Sequence, residues 1–143
     1  MKPEQKQRLL NAKENIRAAQ LLAHSHFHDI AISRAYYAML YVAEALLLDK
    51  SAAIPTKHEA VCSAFVETFS KQSLLFQPYG SYLSDGLEAR FRADYSHGEK
   101  ATLVVAKQHI NRARVFLDLA RHYLTNEVDA EAPVQVGASS GRA

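Results

Sequence analysis

The sequence contains one cysteine, Cys62, and five glycines in 143 residues. A single thiol excludes an intrachain disulfide and fits a reducing cytoplasm, the expected location. The glycines are scattered, so there is neither a phosphate-cradling glycine loop nor a dinucleotide fingerprint. No zinc-ligand spacing, internal repeat, alternating strand pattern or two-residue hairpin turn is found. The longest apolar run, Ala35 to Leu48, is broken only by Glu44. It is shorter than the roughly 20 residues a bilayer span needs, so a buried helix and no membrane are expected. Met1 to Gln7 is polar and leads directly into an amphipathic pattern, so no cleaved leader is expected. Charge of one sign is also scarce. The net is +2, with −2 in residues 127–143 and +4 in the first 126, from 16 basic and 12 acidic residues. That balance permits nucleic-acid binding without demanding it.

What is present is helical periodicity. Leu9, Ala12, Ile16, Ala19 and Ala23 form one stripe at three-four spacing and predict a first helix from Pro3 to Ala23. A second helix is predicted over Asp29 to Asp49, with Asp29 as N-cap. It is apolar enough around Ile32, Tyr36, Met39, Ala43 and Leu46 to be central, or covered by a partner. A third is predicted over Lys57 to Lys71 behind a Thr56 cap with Glu59 at capping-box spacing, Val61, Phe65 and Phe69 facing inward. Leu83, Leu87, Phe91 and Tyr95 predict a fourth over Ser81 to Tyr95, ended by Gly98. The strictest pattern is Leu103, Ala106, Ile110, Ala113, Leu117, Ala120 and Leu124. It predicts a long last helix from Glu99 or Lys100 to Thr125. The expected fold is an all-α, up-and-down bundle of about five helices over residues 1–126, followed by a disordered tail over 127–143.

Seven histidines raise the question of a metal. His24, His26 and His28 alternate, and alternate residues of a helix point apart, so they read as surface or capping groups and no metal site is expected. His109 and His122 fall off the apolar stripe of the last helix and read as solvated. His58, in the first turn of the third helix, reads as a local hydrogen-bonding residue. The remaining concentration of chemistry is Arg90, Arg92, Asp94, Tyr95 and His97, just before Gly98. Arg90, Asp94 and His97 share a helix face, and Arg92 lies on another unless the helix loosens. An arginine fork, an imidazole and the free N–H groups of the next helix would suit a phosphate. A plain helix-tying ion pair is the structural alternative.

Ser33-Arg34-Ala35-Tyr36-Tyr37-Ala38, then Lys57-His58-Glu59-Ala60-Val61, then Ala93-Asp94-Tyr95 and a long last helix, stand in an order that resembles a small bacterial and archaeal branch of the HEPN (higher eukaryote and prokaryote nucleotide-binding) domains. The resemblance covers Lys6 to Leu124. It implies a four- or five-helix bundle that dimerises. In many members it also implies a metal-independent ribonuclease with an arginine, four to six residues and a histidine. Two matches exist here: Arg92 to His97 with four between, and Arg90 to His97 with six. The residue after the arginine, often polar in active members, is Phe91 or Ala93. By this resemblance His97 moves a proton and an arginine holds the phosphate, leaving a 2′,3′-cyclic phosphate, with no cofactor. Asp94, Tyr95, Tyr37 and Arg34 would support the cleft, Tyr95 and Tyr37 having the alternative of buried, hydrogen-bonded tyrosines. A homodimer would supply the second histidine, through the second and fourth helices. Many relatives act as toxins beside a minimal nucleotidyltransferase. In some, that partner modifies a tyrosine two residues past the histidine, where this chain has Glu99. The expected partners are RNA or a nucleotide, a second copy and such a nucleotidyltransferase. The alternative function is a non-catalytic nucleotide- or protein-binding partner of that enzyme.

Overall fold

A computed structural model of the chain describes residues 1–50, 53–95 and 100–126. His97, Gly98 and Glu99, and the tail over 127–143, lie outside the described residues. Five α-helices and no strand occur among those described: α1 Pro3–His24, α2 His28–Asp49, α3 His58–Phe65, α4 Gln77–Tyr95 and α5 Leu103–Thr125. The domain is an all-α bundle. Its centre is α2, which packs against each of the other four helices, whereas α4 and α5, consecutive in the chain, meet through a few long side chains, with Tyr79 stacked on Phe116 at 4.7 Å and Arg112 3.5 Å from Asp85.

The predicted stripes of α1 and α2 are buried, and so is most of that of α5. α2 is as long and apolar as a membrane span, longer than the apolar run suggested, but it lies mostly inside the bundle. Glu44, the one break in its apolar run, pairs with Arg8 of α1 at 3.2 Å. A half-buried carboxylate is thereby matched rather than stranded. Gln5, 1% exposed, closes the start of α1. Its Oε1 accepts the Lys2 N–H at 2.8 Å, while its Nε2 donates to the Ala45 carbonyl at 3.1 Å. α1 ends at a turn in which His26 takes φ 70° and the Phe27 N–H bonds back to Leu22 O at 2.8 Å. A left-handed residue with a six-residue closing bond is a Schellman-type ending, so His24, the last residue of α1, and His26, in the turn, are both exposed.

Several local expectations need correction. Asp29 does not cap α2; the cap position is Phe27 and Asp29 lies in the first turn. α3 begins at His58 after Lys57, which makes no side-chain cap bond, so Thr56 is not its cap. α3 continues as a π-helical turn, Val66–Ser70, closed by Lys71 N–H to Val66 O at 2.9 Å. α4 starts earlier than predicted, at Gln77, because Pro78 fits a first helical turn, where its missing N–H costs nothing. α5 starts later, at Leu103, with the Thr102 hydroxyl accepting the Val105 N–H at 3.3 Å.

The core centres on Phe65, whose ring lies 5.4 Å from Phe69, 6.2 Å from Phe76 and 5.4 Å from Phe116. Such pairs add about 0.5–1.5 kcal/mol each beyond their burial. On α4 the inward line is Gly80, Leu83, Gly86 and Ala89. The every-four row predicted there winds about 40° per repeat around a helix of 3.6 residues per turn. Leu83 therefore starts in the core, while Phe91 and Tyr95 finish 60% and 61% exposed.

Candidate functional site

The candidate site gathers on one tyrosine of α2. Tyr37 is half-buried, and the Arg34 guanidinium carbon lies 4.7 Å from its ring centre. The guanidinium carbon of Arg90, on α4, lies 5.5 Å from the same centre. The backbone sets this up. Arg34 and Tyr37 are three residues apart on one helix face. Gly86, one turn before Arg90, lets α4 close onto Tyr36 and Met39, where an added Cβ would come within 3.2 Å and 2.8 Å of their side chains. The faces of aromatic rings attract guanidinium groups, so two cations from different helices are held at one ring.

Each arginine has one further tether. Arg34 Nη1 donates to Asn15 Oδ1 of α1 at 3.0 Å. Arg90 Nε lies 3.1 Å from Asp94 Oδ2, an ion pair whose angle leaves the buried Nε–H without a hydrogen-bond acceptor among the described residues. The other oxygen of Asp94 accepts from Ser33 Oγ of α2 at 3.3 Å. Arg34, Tyr37, Arg90 and Asp94 are therefore brought together.

Arg92 and Tyr95 are not part of this cluster. α4 stays regular to Tyr95, so Arg92 keeps to another face, exposed, and pairs with Glu88 at 3.2 Å. Tyr95 is exposed beside Phe91, ring centres 4.8 Å apart, so it is not a buried hydrogen-bonded tyrosine. Tyr37 is not fully buried either. The buried tyrosine is Tyr36, 0% exposed, whose hydroxyl has no hydrogen-bond partner among the described residues. Burial pushes that hydroxyl well above its ordinary pKa, with Cys62, Tyr37 and Glu59 adding to the effect and Arg90 opposing it.

His97 lies outside the described residues, but both flanks of its segment are tied to α2. Before it stands the Ser33–Asp94 bond. After it, Ala101 donates its N–H to Asp29 Oδ1 at 3.1 Å, and its carbonyl lies 3.3 Å from His28 Nδ1. Asp29, expected only as a cap, thus holds the chain leading into α5. The start of α5, expected to offer its N–H groups to an anion, already has one of them taken by Thr102.

Two histidines differ from their sequence reading. His109 is 6% exposed rather than solvated, and its Nδ1 has no partner among the described residues. Burial lowers its pKa, Arg112 and Arg92 act in the same direction, and Asp85 opposes them. His58 makes no hydrogen bond among the described residues. Its ring packs edge-on to Tyr37 at 5.6 Å and tilted on Tyr36 at 5.7 Å, which adds a third helix to the cluster. Sequence spacing could not reveal this, because α3 approaches α2 only through the tertiary fold. Among the described residues no group of three or more His, Cys, Asp or Glu is arranged to hold a metal ion.

The HEPN domain family matches the chain over residues 5–123. Two proteins of Methanocaldococcus jannaschii, each named "Putative toxin", are similar to it. One is 32% identical over 81% of this chain and 78% of its own length. The other is 35% identical over 75% of this chain and 78% of its own length. A protein of Thermotoga maritima named "UPF0332 protein" is 32% identical over 75% of this chain and 80% of its own length.

Proposed function

The chain belongs to the HEPN domain family, and on that premise we propose that it is a toxin-like, metal-independent endoribonuclease that acts as a homodimer in the cytoplasm. The carrying observation is the pair of guanidinium groups, Arg34 and Arg90, held on the Tyr37 ring by two different helices. Two guanidinium groups at one ring suit a phosphodiester and its additional charge in the transition state. Of the two arginines that could pair with His97, Arg90 is the one we assign to the phosphate. It is partly buried, sits on Tyr37 and is oriented by Asp94, whereas Arg92 faces solvent.

In the proposed reaction the 2′-oxygen attacks phosphorus as its proton passes to a base. The bond to the 5′-oxygen breaks as that oxygen takes a proton from an acid, and a 2′,3′-cyclic phosphate remains. His97 carries one of these transfers. The exposed pair Phe91 and Tyr95, on the helix that carries Arg90, supports a second copy docking beside the site. A nucleotidyltransferase antitoxin is the proposed partner of the toxin.

A second reading, a non-catalytic nucleotide- or protein-binding partner of that nucleotidyltransferase, is favoured by the mild charge, +4 over the first 126 residues. Extended RNA grooves are usually more basic. Cleavage of labelled single-stranded RNA in EDTA separates the two. Wild type should leave cyclic-phosphate ends, and His97→Ala should leave the RNA intact. A wild-type dimer that spares a panel of RNAs would end the ribonuclease reading.

A further inference from the structure

The Tyr37 ring that carries the two arginines also carries His58, 5.6 Å away and nearly perpendicular at 84°. Tyr36 supports the imidazole from a second side at 5.7 Å. Two aromatic contacts fix the position of the ring. Among the described residues its nitrogens have no hydrogen-bond partner, and the residue is only half-buried. An imidazole held by aromatic contacts, with no hydrogen-bond partner for its nitrogens among the described residues, is poorly explained as a structural hydrogen-bonding group. It stands on the same small platform as Arg34 and Arg90, from a third helix. α3 also brings its first turn here, with no side-chain cap at Lys57.

We propose that His58 is a catalytic residue of this site, carrying one of the two proton transfers of RNA cleavage from within the same protomer; this rests on the ribonuclease reading above. The reaction needs one group to take the 2′-hydroxyl proton and one to protonate the departing 5′-oxygen. His58 supplies one of them to a phosphate held by Arg34 and Arg90. The second imidazole then need not come from another copy of the chain. The charged and titratable groups around His58 are Lys57 and Glu59 beside it in the chain, Cys62 one turn on in α3, Tyr36 and Tyr37 of α2, and Arg90 of α4.

The test uses the full chain and a labelled RNA, with a 2′-O-methyl analogue as the uncleavable probe of binding. His58→Gln should lower kcat at least 100-fold and remove one limb of the bell-shaped pH–rate profile. Its Tm and its affinity for the analogue should stay close to wild type. His58→Ala, which leaves a gap beside Tyr37, should regain part of the lost rate with added imidazole, a rescue that a packing role would not allow. A substrate with sulfur in place of the 5′-oxygen then assigns the step. Rescue of His58→Gln by this substrate makes His58 the acid, and no rescue makes it the base. If wild type cleaves RNA and His58→Gln stays within threefold of it with both limbs intact, the proposal for His58 falls and the ribonuclease reading stands. The proposal also falls, and the ribonuclease reading again stands, if the loss lies wholly in binding of the analogue. If wild type cleaves no RNA, both fall together.

Discussion

Gly80→Ala should destabilise the bundle by about 2 kcal/mol, although alanine is the better helix former. Gly80 lies in the first turns of α4, against the π-helical turn Val66–Ser70. A Cβ there would stand 2.7 Å from Ser70 Oγ, 2.9 Å from Val66 Cγ2 and 3.3 Å from Ser70 Cβ. Relaxed carbon contacts lie near 3.5–4.0 Å, so the neighbours must retreat by more than half an ångström. Neither is the far end of a flexible chain, and Ser70 is buried. Over-packing of this kind costs about 1–3 kcal/mol. Ser70 Oγ also donates to the Phe76 carbonyl at 3.1 Å, and displacing it forfeits about 1 kcal/mol. That carbonyl keeps a second donor, the Tyr79 N–H at 3.1 Å, so the loss goes no further. Against these costs stands a gain of about 1 kcal/mol from helix propensity. Urea unfolding followed by circular dichroism should show a lower midpoint at unchanged m, and a Tm lower by roughly 8 °C. Ser70→Ala removes the crowded oxygen, so the double variant should be about 1 kcal/mol more stable than the two single losses imply. A Gly80→Ala chain that is neutral, or more stable by the full helix-propensity gain, would refute the reasoning.

Under the ribonuclease reading, Arg90→Ala should reduce cleavage about 100- to 1,000-fold, the usual scale for losing a transition-state charge partner. Arg92→Ala should stay within about threefold, and the reverse order in a cleavage assay would move the phosphate to Arg92. His109 has its pKa lowered by burial, so the unfolded chain takes a proton more readily than the native one near pH 6. Its contribution is fully present above the ordinary imidazole value of about 6.5 and is lost as pH falls below it, with a limiting slope of about 1.4 kcal/mol per pH unit. In urea titrations from pH 7 to 5, His109→Leu should flatten that decline, and an unchanged slope would show the imidazole to be protonated in the fold. Cys62 is 7% exposed and its thiol is pushed up to about 11, first by burial and then by Glu59. Iodoacetamide at pH 8 should therefore label it only as the chain unfolds, and labelling as rapid as that of a free thiol would contradict its burial.

Helix identity and helix faces were legible because periodicity is a local property. The stripe of α1 from Leu9 to Ala23, and the α2 positions Ile32, Tyr36 and Met39, could be read one turn at a time, and all are buried. The candidate site was legible in part. The Arg90–Asp94 spacing predicts one face, and the structure places them 3.1 Å apart. Arg34 and Tyr37 are neighbours on α2 for the same reason. What periodicity could not supply is which helix covers which. The every-four row on α4 drifts off the core face, so Phe91 and Tyr95 are exposed, and α5 packs mainly on α2 and α1. His109 lies off the apolar stripe of its helix, yet it is buried.

By itself, then, the sequence determined an all-α chain, the extent of most of its helices, the inward stripe of most but not of α4, and the residues that mark its family. These follow from spacing along one strand of polymer, where the 3.6-residue turn does the sorting. Only the tertiary structure decided that Glu44 has Arg8 as its partner, that Asp29 clasps Ala101 rather than capping its own helix, and that Arg92 stands apart from Arg90. It alone brought His58 of α3, Arg34 of α2 and Arg90 of α4 to the Tyr37 ring. The physical reason is that contacts between helices depend on close approach, such as the one Gly86 permits against Tyr36 and Met39, and no local pattern records which surfaces will meet.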